Sequence, residues 1–503
     1  MRLVAGVDSS TQSTKVVLCR ADGGQIVGQG SAPHPPGTEC DPVAWWAALR
    51  KAGAGLLDRA EAIGVAGQQH GMVTLGADGA VVRPALLWND QRSAAEAAEL
   101  IGAHGGPKWW ATHAGSVPTA SFTVTKLAWL ARHEPARAAR TAAVALPHDW
   151  LAWRLRIERP ARPAPRGRAR HGGPITDLVT DRGDASGTGY FAPADGRWLP
   201  ELAAAALGHL PVLPRVAGPA EVIGETATGA AVSAGTGDNM AAALGLGLGP
   251  GDVAVSIGTS GTVFAVSEVP AADPTGAVAG FADATGRFLP LVCTINAGLV
   301  LSAAAALVGT ASAGAAALAE LSALAMAAPP GAGGLTMLPY FDGERTPVRP
   351  SATGVLRGLT SQNATKQNLA RAAIEAVLAS LAEAADLLAA QGVSARRVLL
   401  TGGGARSEAV CAIAPGLFGR DVLVPRPAEY VAIGAARQAA WALAGTAEPP
   451  AWPQPPAASY SGVPRPDVRE RYAALRAETE GWGGGLADGK TDGPAATTVR
   501  SLR

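Results

Sequence analysis

Two short segments about 250 residues apart repeat one arrangement, and together they limit what the chain can fold into. Leu3 to Val7 is an apolar run ending at Asp8, followed by the small polar turn Ser9-Ser10-Thr11-Gln12-Ser13-Thr14 and a second β-rich run, Val16 to Cys19. Asp22-Gly23-Gly24 then signals a turn, and Gln25-Ile26-Val27 resumes the extended pattern. Strand, hairpin, strand, turn, strand is not the opening of a dinucleotide-binding fold, where a helix follows the first glycine loop. Val253 to Ile257, the turn Gly258-Thr259-Ser260-Gly261-Thr262 and Val263 to Val266 repeat the hairpin. Aligning Thr11 with Thr259 sets Asp8 opposite Ser256. Each half thus opens with a hydroxyl-tipped hairpin, and only the first copy carries a carboxylate.

At 503 residues the chain has room for two or three domains. Its 42 basic and 41 acidic residues give a net charge of +1, so no overall field draws it to nucleic acid or an anionic membrane. Cys19, Cys40, Cys293 and Cys411 lie far apart with no CxxC spacing, which argues against a disulfide framework or a thiolate zinc site. The apolar run before Asp8 is too short for a signal peptide. Ala297 to Ala319 contains no charge, but it is mostly Ala with Gly and Ser, so a buried helix pair is expected rather than a membrane span. These features predict a cytoplasmic protein. Arg159 to His171 holds five Arg and three Pro, which suits an exposed, extended loop. Residues 486–503 lack an apolar period and read as a disordered tail.

The Gly- and Ala-rich stretch from Gly218 to Gly249 contains Gly237-Asp238-Asn239 and places a junction near residue 245, giving domains at 1–245 and 246–485. In the second, Ile374, Val377, Leu378, Leu381 and Leu388 recur at helical spacing up to Gly392. The strand Val398-Leu399-Leu400 then leads into Thr401-Gly402-Gly403-Gly404-Ala405-Arg406-Ser407, a loop that lets a ligand approach backbone amides. Asp8, at a strand end, is placed either to hold Mg²⁺ or to cap its own turn. Asp238 either accepts a proton from a substrate hydroxyl or satisfies loop amides. Gln68-Gln69-His70 and Trp88-Asn89-Asp90 end apolar runs in groups suited to a polyol, although a histidine beside glycine also serves structure. Gly484 to Thr491 satisfies the GxxxxGK[ST] pattern but follows a helical segment, Arg469 to Gly481, and precedes a polar tail. It therefore lacks the strand and helix that phosphate binding needs. No GxSxG, HExxH or GxGxxG stands in a suitable context, against hydrolase, zincin and dehydrogenase chemistry.

From Gly6 to about Arg471 the sequence resembles the FGGY family of carbohydrate kinases. The resemblance is carried by Gly67-Gln68-Gln69-His70-Gly71, Leu87-Trp88-Asn89-Asp90, Gly237-Asp238-Asn239, Ser256-Ile257-Gly258-Thr259-Ser260-Gly261, Leu338 to Pro347 and Gly402 to Glu408. It implies an α/β fold of two actin-like, ribonuclease-H-like ATPase domains with the active site in the cleft between them. It further implies ATP-dependent phosphorylation of D-xylulose to D-xylulose 5-phosphate. Another ketose, polyol or sugar acid, or a non-catalytic sugar-sensing regulator, are the alternatives. By the same match Asp238 is the catalytic base, and Asp8 positions Mg²⁺, directly or through water. Ser10 and Thr11 face the phosphates from one side, Gly258 and Thr259 from the other. Gly403, Gly404 and Ala405 line the adenosine pocket. Gln69, His70, Asp238 and Asn239 contact the sugar, with Trp88 and Asp90 as second contributors. The partners implied are the sugar and ATP, and a homodimer is common in the family. Ser10 stands where many members have glycine, and Gln69 where they often have methionine.

Overall fold

The computed structural model describes residues 2–158 and 173–482. The Arg/Pro-rich segment at 159–171, the GxxxxGK[ST] match at 484–491 and the tail at 486–503 lie outside the described residues.

The first sheet is built on β1 (Leu3–Ser9), β2 (Ser13–Arg20), β3 (Ile26–Pro33), β4 (Ala62–Gly67) and β5 (Ala231–Ser233), in the order β5-β4-β1-β2-β3. Hairpin pairing makes β1, β2 and β3 antiparallel, whereas β4 and β5 run parallel to β1. The second sheet repeats this plan with β6 (Asp252–Ile257), β7 (Gly261–Ala265), β8 (Phe288–Thr294), β9 (Arg397–Thr401) and β10 (Val422–Pro425), ordered β8-β7-β6-β9-β10. β6-β7 and β7-β8 pair antiparallel; β9 and β10 run parallel to β6. The repeat expected from the two hairpins is therefore one of whole sheets. Three residues separate the strands in each hairpin, and Asp8 opposite Lys15 corresponds to Ser256 opposite Thr262. Most of β1 and β6 is buried on both faces, which is why they read as continuous apolar runs rather than alternating ones.

Helices α1 (Pro42–Ala52) and α2 (Pro147–Ile157) cover one face of the first sheet, with Trp45, Leu49, Trp150 and Leu151 packed on Ala5, Val7, Val16 and Val65. Asp41 caps α1 by accepting from Val43 N at 3.0 Å, and Pro42 occupies its first turn. The stretch from Gly218 to Gly249 is folded throughout its central part: it supplies β5, the short strand Thr236–Gly237 and helix α3 (Asp238–Leu246). The charge-free segment after Ala297 forms the expected helix pair, α4 (Gly298–Leu307) and α5 (Gly314–Ala327). Only one face of each is buried, however, and Leu307 and Met326 are exposed. No helix among the described residues is long and apolar enough to cross a membrane. These two, with α6 (Lys366–Ala390) and α7 (Glu408–Phe418), cover the outer face of the second sheet.

Between the sheets lie α3 and α8 (Tyr430–Ala444). Met240 and Leu244 of α3 pack on Ala254, Phe264 and Leu291 of the second sheet. Ala432, Ala436 and Ala439 of α8 pack on Val4, Val17 and Ala62 of the first. Glycine makes this layer thin. A Cβ on Gly434 would stand 1.8 Å from Ala241 O, one on Gly245 2.0 Å from Tyr430 O, and one on Gly6 1.8 Å from Ala432 O. Because backbone faces backbone, no side chain can swing away to make room. Gly434→Ala is expected to destabilise the protein by at least about 2 kcal/mol, the range of overpacked cores, read as a lowered urea midpoint with an unchanged slope. Gly102→Ala, in the helix Ala94–Ala103, whose added Cβ meets nothing within 4 Å and whose backbone is not left-handed, controls for glycine replacement as such.

Candidate active site

Register alone assembles the first part of the site. Asp8 of β1 pairs with Ala66 of β4, which pairs with Thr236; Ser9 pairs with Gly67, which pairs with Gly237. Ser10, Gln68 and Asp238 therefore leave three neighbouring strands at one edge. Asp8 is buried and accepts from the Ser10 hydroxyl. Burial pushes its pKa up to about 6, against the pull of Ser10 and of Lys15, which faces it across the hairpin. The backbone at Ser10 is not left-handed, so serine in place of glycine carries no strain there. Thr11 donates to Gln68 Oε1 at 3.4 Å and accepts from Trp88 Nε1 at 2.8 Å. Trp88 thus spends its N–H on the hairpin tip.

Asp238 opens α3, where its carboxylate meets the helix N-terminus. Its Oδ1 accepts from Asn239 N at 2.8 Å and Asn239 Nδ2 at 2.9 Å; Nδ2 also reaches Gln69 Oε1 at 3.0 Å. Burial first, then the charges of Asp8 and Asp184, push the pKa of Asp238 up to about 7. Gln69 Nε2 and Gln68 Nε2 are buried with no hydrogen-bond partner among the described residues, leaving two donors for a hydroxyl-rich ligand.

His70 adopts φ +65°, an uncommon value for a side-chain-bearing residue. Its ring Nδ1 lies 2.6 Å from Gly187 O, and its carbonyl accepts from Lys126 Nζ at 2.8 Å and Thr123 Oγ1 at 3.2 Å. Burial drives the His70 pKa down to about 3, so the ring is neutral, Nδ1–H donates to Gly187 and Nε2 is an acceptor. Phe122 and Phe281 flank it, with ring centroids 4.7 and 5.7 Å away. Phe281 comes from the second sheet, in the strand Ala279–Ala282, so both halves wall this end. Cys293 of β8 lies within electrostatic reach of both Asp238 and Arg345, which brings the second half to Asp238 as well.

Asp90 lies within electrostatic reach of Lys126, with its carboxylate already engaged. Arg92 binds its two oxygens at 2.8 and 2.9 Å, and although burial favours the neutral form, those bonds hold the carboxyl below the usual range. Within the Trp88-Asn89-Asp90 segment, Trp88 braces Thr11.

On the other side, Gly258 and Thr259 are exposed at the second hairpin tip and seated on α4: Gly298 N donates to Gly258 O at 2.9 Å and Leu299 N to Thr259 O at 3.1 Å. Gly402 takes φ +84°, with Ile257 O 2.7 Å from where a Cβ would stand. Beside it a cavity of about 720 Å³ is lined by Leu301, Leu318, Ile374, Gly403, Gly404 and Ser407. Ala405, expected in that lining, packs on the core beneath the loop. The loop itself is a short turn, and Ser407 caps α7 behind it.

Sequence reasoning missed Lys126, Phe281, Arg345 and the buried His148 beside Gly67. A signal for Lys126 exists: it is the one charged residue between Ala114 and Ala131. The others depend on contacts between distant segments.

Residues 3–247 match the N-terminal domain of the FGGY family of carbohydrate kinases, and residues 253–443 its C-terminal domain. The chain belongs to that family. Its two sheets are the actin-like, ribonuclease-H-like halves of the FGGY kinase fold. It is 46% identical over 464 residues to the xylulose kinase of Streptomyces rubiginosus, covering 88% of each chain. Against the xylulose kinase of Escherichia coli it is 35% identical over 425 residues, covering 80% of this chain and 82% of the relative. The crystal structure of xylulose kinase from Bifidobacterium adolescentis superposes with a TM-score of 0.85 at 45% identity, covering 94% of this chain and 99% of that one.

In this FGGY chain the support of His70 is open to test. Burial lowers the Lys126 pKa to about 7, and its ammonium donates to two carbonyls, those of His70 and Ser121. Lys126→Met keeps the volume and removes both bonds. Its KM for sugar should rise roughly tenfold, about 1.4 kcal/mol, with KM for ATP unchanged, in steady-state assays varying each substrate in turn.

Proposed function

We propose that the protein transfers the γ-phosphoryl group of ATP to the terminal hydroxyl of D-xylulose, giving D-xylulose 5-phosphate, with Asp238 as general base. The observation that carries this reading is the Asp238 carboxylate, poised near neutrality at a helix start and bridged through Asn239 to Gln69 beside an unpaired amide donor. The names of its relatives at 35–46% identity supply the sugar.

In this reading Gln69, His70 and Asn239 hold the ketose. The His70 Nε2 lone pair accepts from a hydroxyl and Gln69 Nε2 donates to one. Asp238 takes the proton of the terminal hydroxyl as that oxygen bonds to the γ-phosphorus and the bond to the β-γ bridging oxygen breaks, releasing ADP. Ser10 and Thr11 on one hairpin, and Gly258 and Thr259 on the other, bracket the transferring group; Gly403 and Gly404 admit the adenosine to the 720 Å³ cavity. The donor set fits Mg²⁺: Asp8 offers a hard carboxylate oxygen at a strand end, and the neighbouring Ser9 Oγ is buried without a hydrogen-bond partner among the described residues. Bound there, the ion would neutralise phosphate charge. Walls contributed by both halves exclude water, which would otherwise compete as acceptor.

ADP release measured in parallel with D-xylulose, D-ribulose, L-xylulose, glycerol and D-gluconate tests the substrate. D-xylulose should dominate, and preference for another would move the assignment, beginning at Gln69. Asp238→Ala should lower kcat by at least about a hundredfold while leaving nucleotide binding intact by calorimetry. Since the base must be ionised, kcat/KM for sugar should be flat above about pH 7 and fall about tenfold per unit below it. A profile flat down to pH 5 would remove Asp238 from that role.

A further inference from the structure

Behind the sugar end lies a chain of buried charges with no part in the reaction above. His148, Asp149 and Asp184 are fully or almost fully buried. His148 Nδ1 is 2.5 Å from Asp184 Oδ2 and His148 Nε2 is 3.2 Å from Asp149 Oδ1, so one ring is flanked by a carboxylate on each nitrogen. Asp181, a third carboxylate in reach, accepts from Gly183 N, Asp184 N and Thr236 Oγ1, each at 2.8 Å.

We propose that Asp149–His148–Asp184 is a positioning device for the sugar pocket, with His148 held as a doubly protonated imidazolium between the two carboxylates. Two routes lead from it to the residues assigned to sugar and base. One runs through Asp184 along the turn Ser186–Thr188 to Gly187, whose carbonyl receives His70 Nδ1–H at 2.6 Å. The other runs through Asp181 to Thr236, two residues before Asp238. His148 also fills the space that side chains at Gly67 and Gly235 would need: a Cβ at Gly67 would stand 2.8 Å from His148 N, and one at Gly235 2.6 Å from His148 Cδ2. The same turn is tied to the second half, since Ala282 N donates to Ser186 Oγ at 3.0 Å and Arg182 Nη1 to Arg287 O at 3.0 Å.

Charge balance favours the imidazolium. Burial opposes a charge on His148, but Asp149, then Asp184 and Asp181, outweigh it and push the pKa up to about 9. The three candidate ligand atoms lie within 4.8 Å of one another, a spacing that also admits a cation. An ion would take one ring nitrogen and leave the other facing a carboxylate; a proton on each gives Nδ1–H its hydrogen bond to Asp184 and sets the charged ring against Asp149, 3.2 Å from Nε2.

The proposal rests on the sugar-kinase reading only for where the effect is felt, and two measurements separate them. The first needs no sugar: ¹⁵N–¹H correlations of the histidine rings in the full chain at pH 8. One ring, identified by its loss in His148→Gln, should show both nitrogens protonated. A neutral tautomer or a metal-bound nitrogen there overturns the proposal. The second is steady-state kinetics with D-xylulose. Asp184→Ala should raise KM for sugar roughly tenfold and leave KM for ATP within about twofold. Asp184→Asn keeps an acceptor for His148 Nδ1–H and should stay closer to the parent. Equal damage from both substitutions, or equal shifts in the two KM values, overturns the positioning role. A parent chain without D-xylulose turnover sinks the function reading instead, and the ring signals still decide the state of His148. Should His148→Gln fail to fold, the ring whose signals shift in Asp184→Asn identifies it.

Discussion

The contact on which the rest depends is backbone against backbone: α3 crossing α8, and α8 lying on β1 and β4, with glycine at each closest point. Dispersion and burial at such a crossing come from alanine methyls and the chain itself rather than from large side chains. The layer is thin enough for two sheets to share it, and α3 is thereby fixed to both. Since α3 begins at Asp238, the carboxylate sits where the two halves meet, in register with the β1 edge that carries Asp8.

The electrostatics of the site follow from that placement. Asp8 and Asp238 are both held in largely buried surroundings, and the charge of Asp8 adds to burial in raising Asp238, the pattern that leaves a carboxyl poised to exchange a proton near neutral pH. His70 is kept neutral and Lys126 is stripped of solvent to hold its carbonyl. Charged groups around His70 and Asp238 thus act mostly on backbone and on each other, while the groups left for a ligand are amides, an imidazole nitrogen and hydroxyls. A neutral polyol calls for such a lining.

Much of this was legible in the sequence, for reasons of locality. A hairpin is specified by consecutive residues, so the β1–β2 and β6–β7 turns and the equivalence of Asp8 with Ser256 could be read directly. The helix through Ile374 and Leu388 and the glycine loop after β9 were legible for the same reason. What stayed hidden was set by distant partners. The sequence carries no sign of the bond from Arg92 to Asp90, nor of the contact between Ala405 and the core. The Gly- and Ala-rich stretch 218–249 reads as a junction near residue 245, but its composition alone does not show what it packs against. Against a second helix the same composition signals close approach. Nothing near Tyr430 announces that its helix belongs on the first sheet.

That last arrangement bears on how the protein is made. Gly6 and Ala432 are in contact but stand at opposite ends of the chain. At about 5–20 residues per second of synthesis, roughly 20–80 s separate their emergence from the ribosome. Throughout that interval the inner face of the first sheet, with Val4, Val17 and Ala62, waits for the helix that covers it. The half of the protein translated first is therefore completed last, and its apolar face is the one that a nascent-chain chaperone has reason to shield.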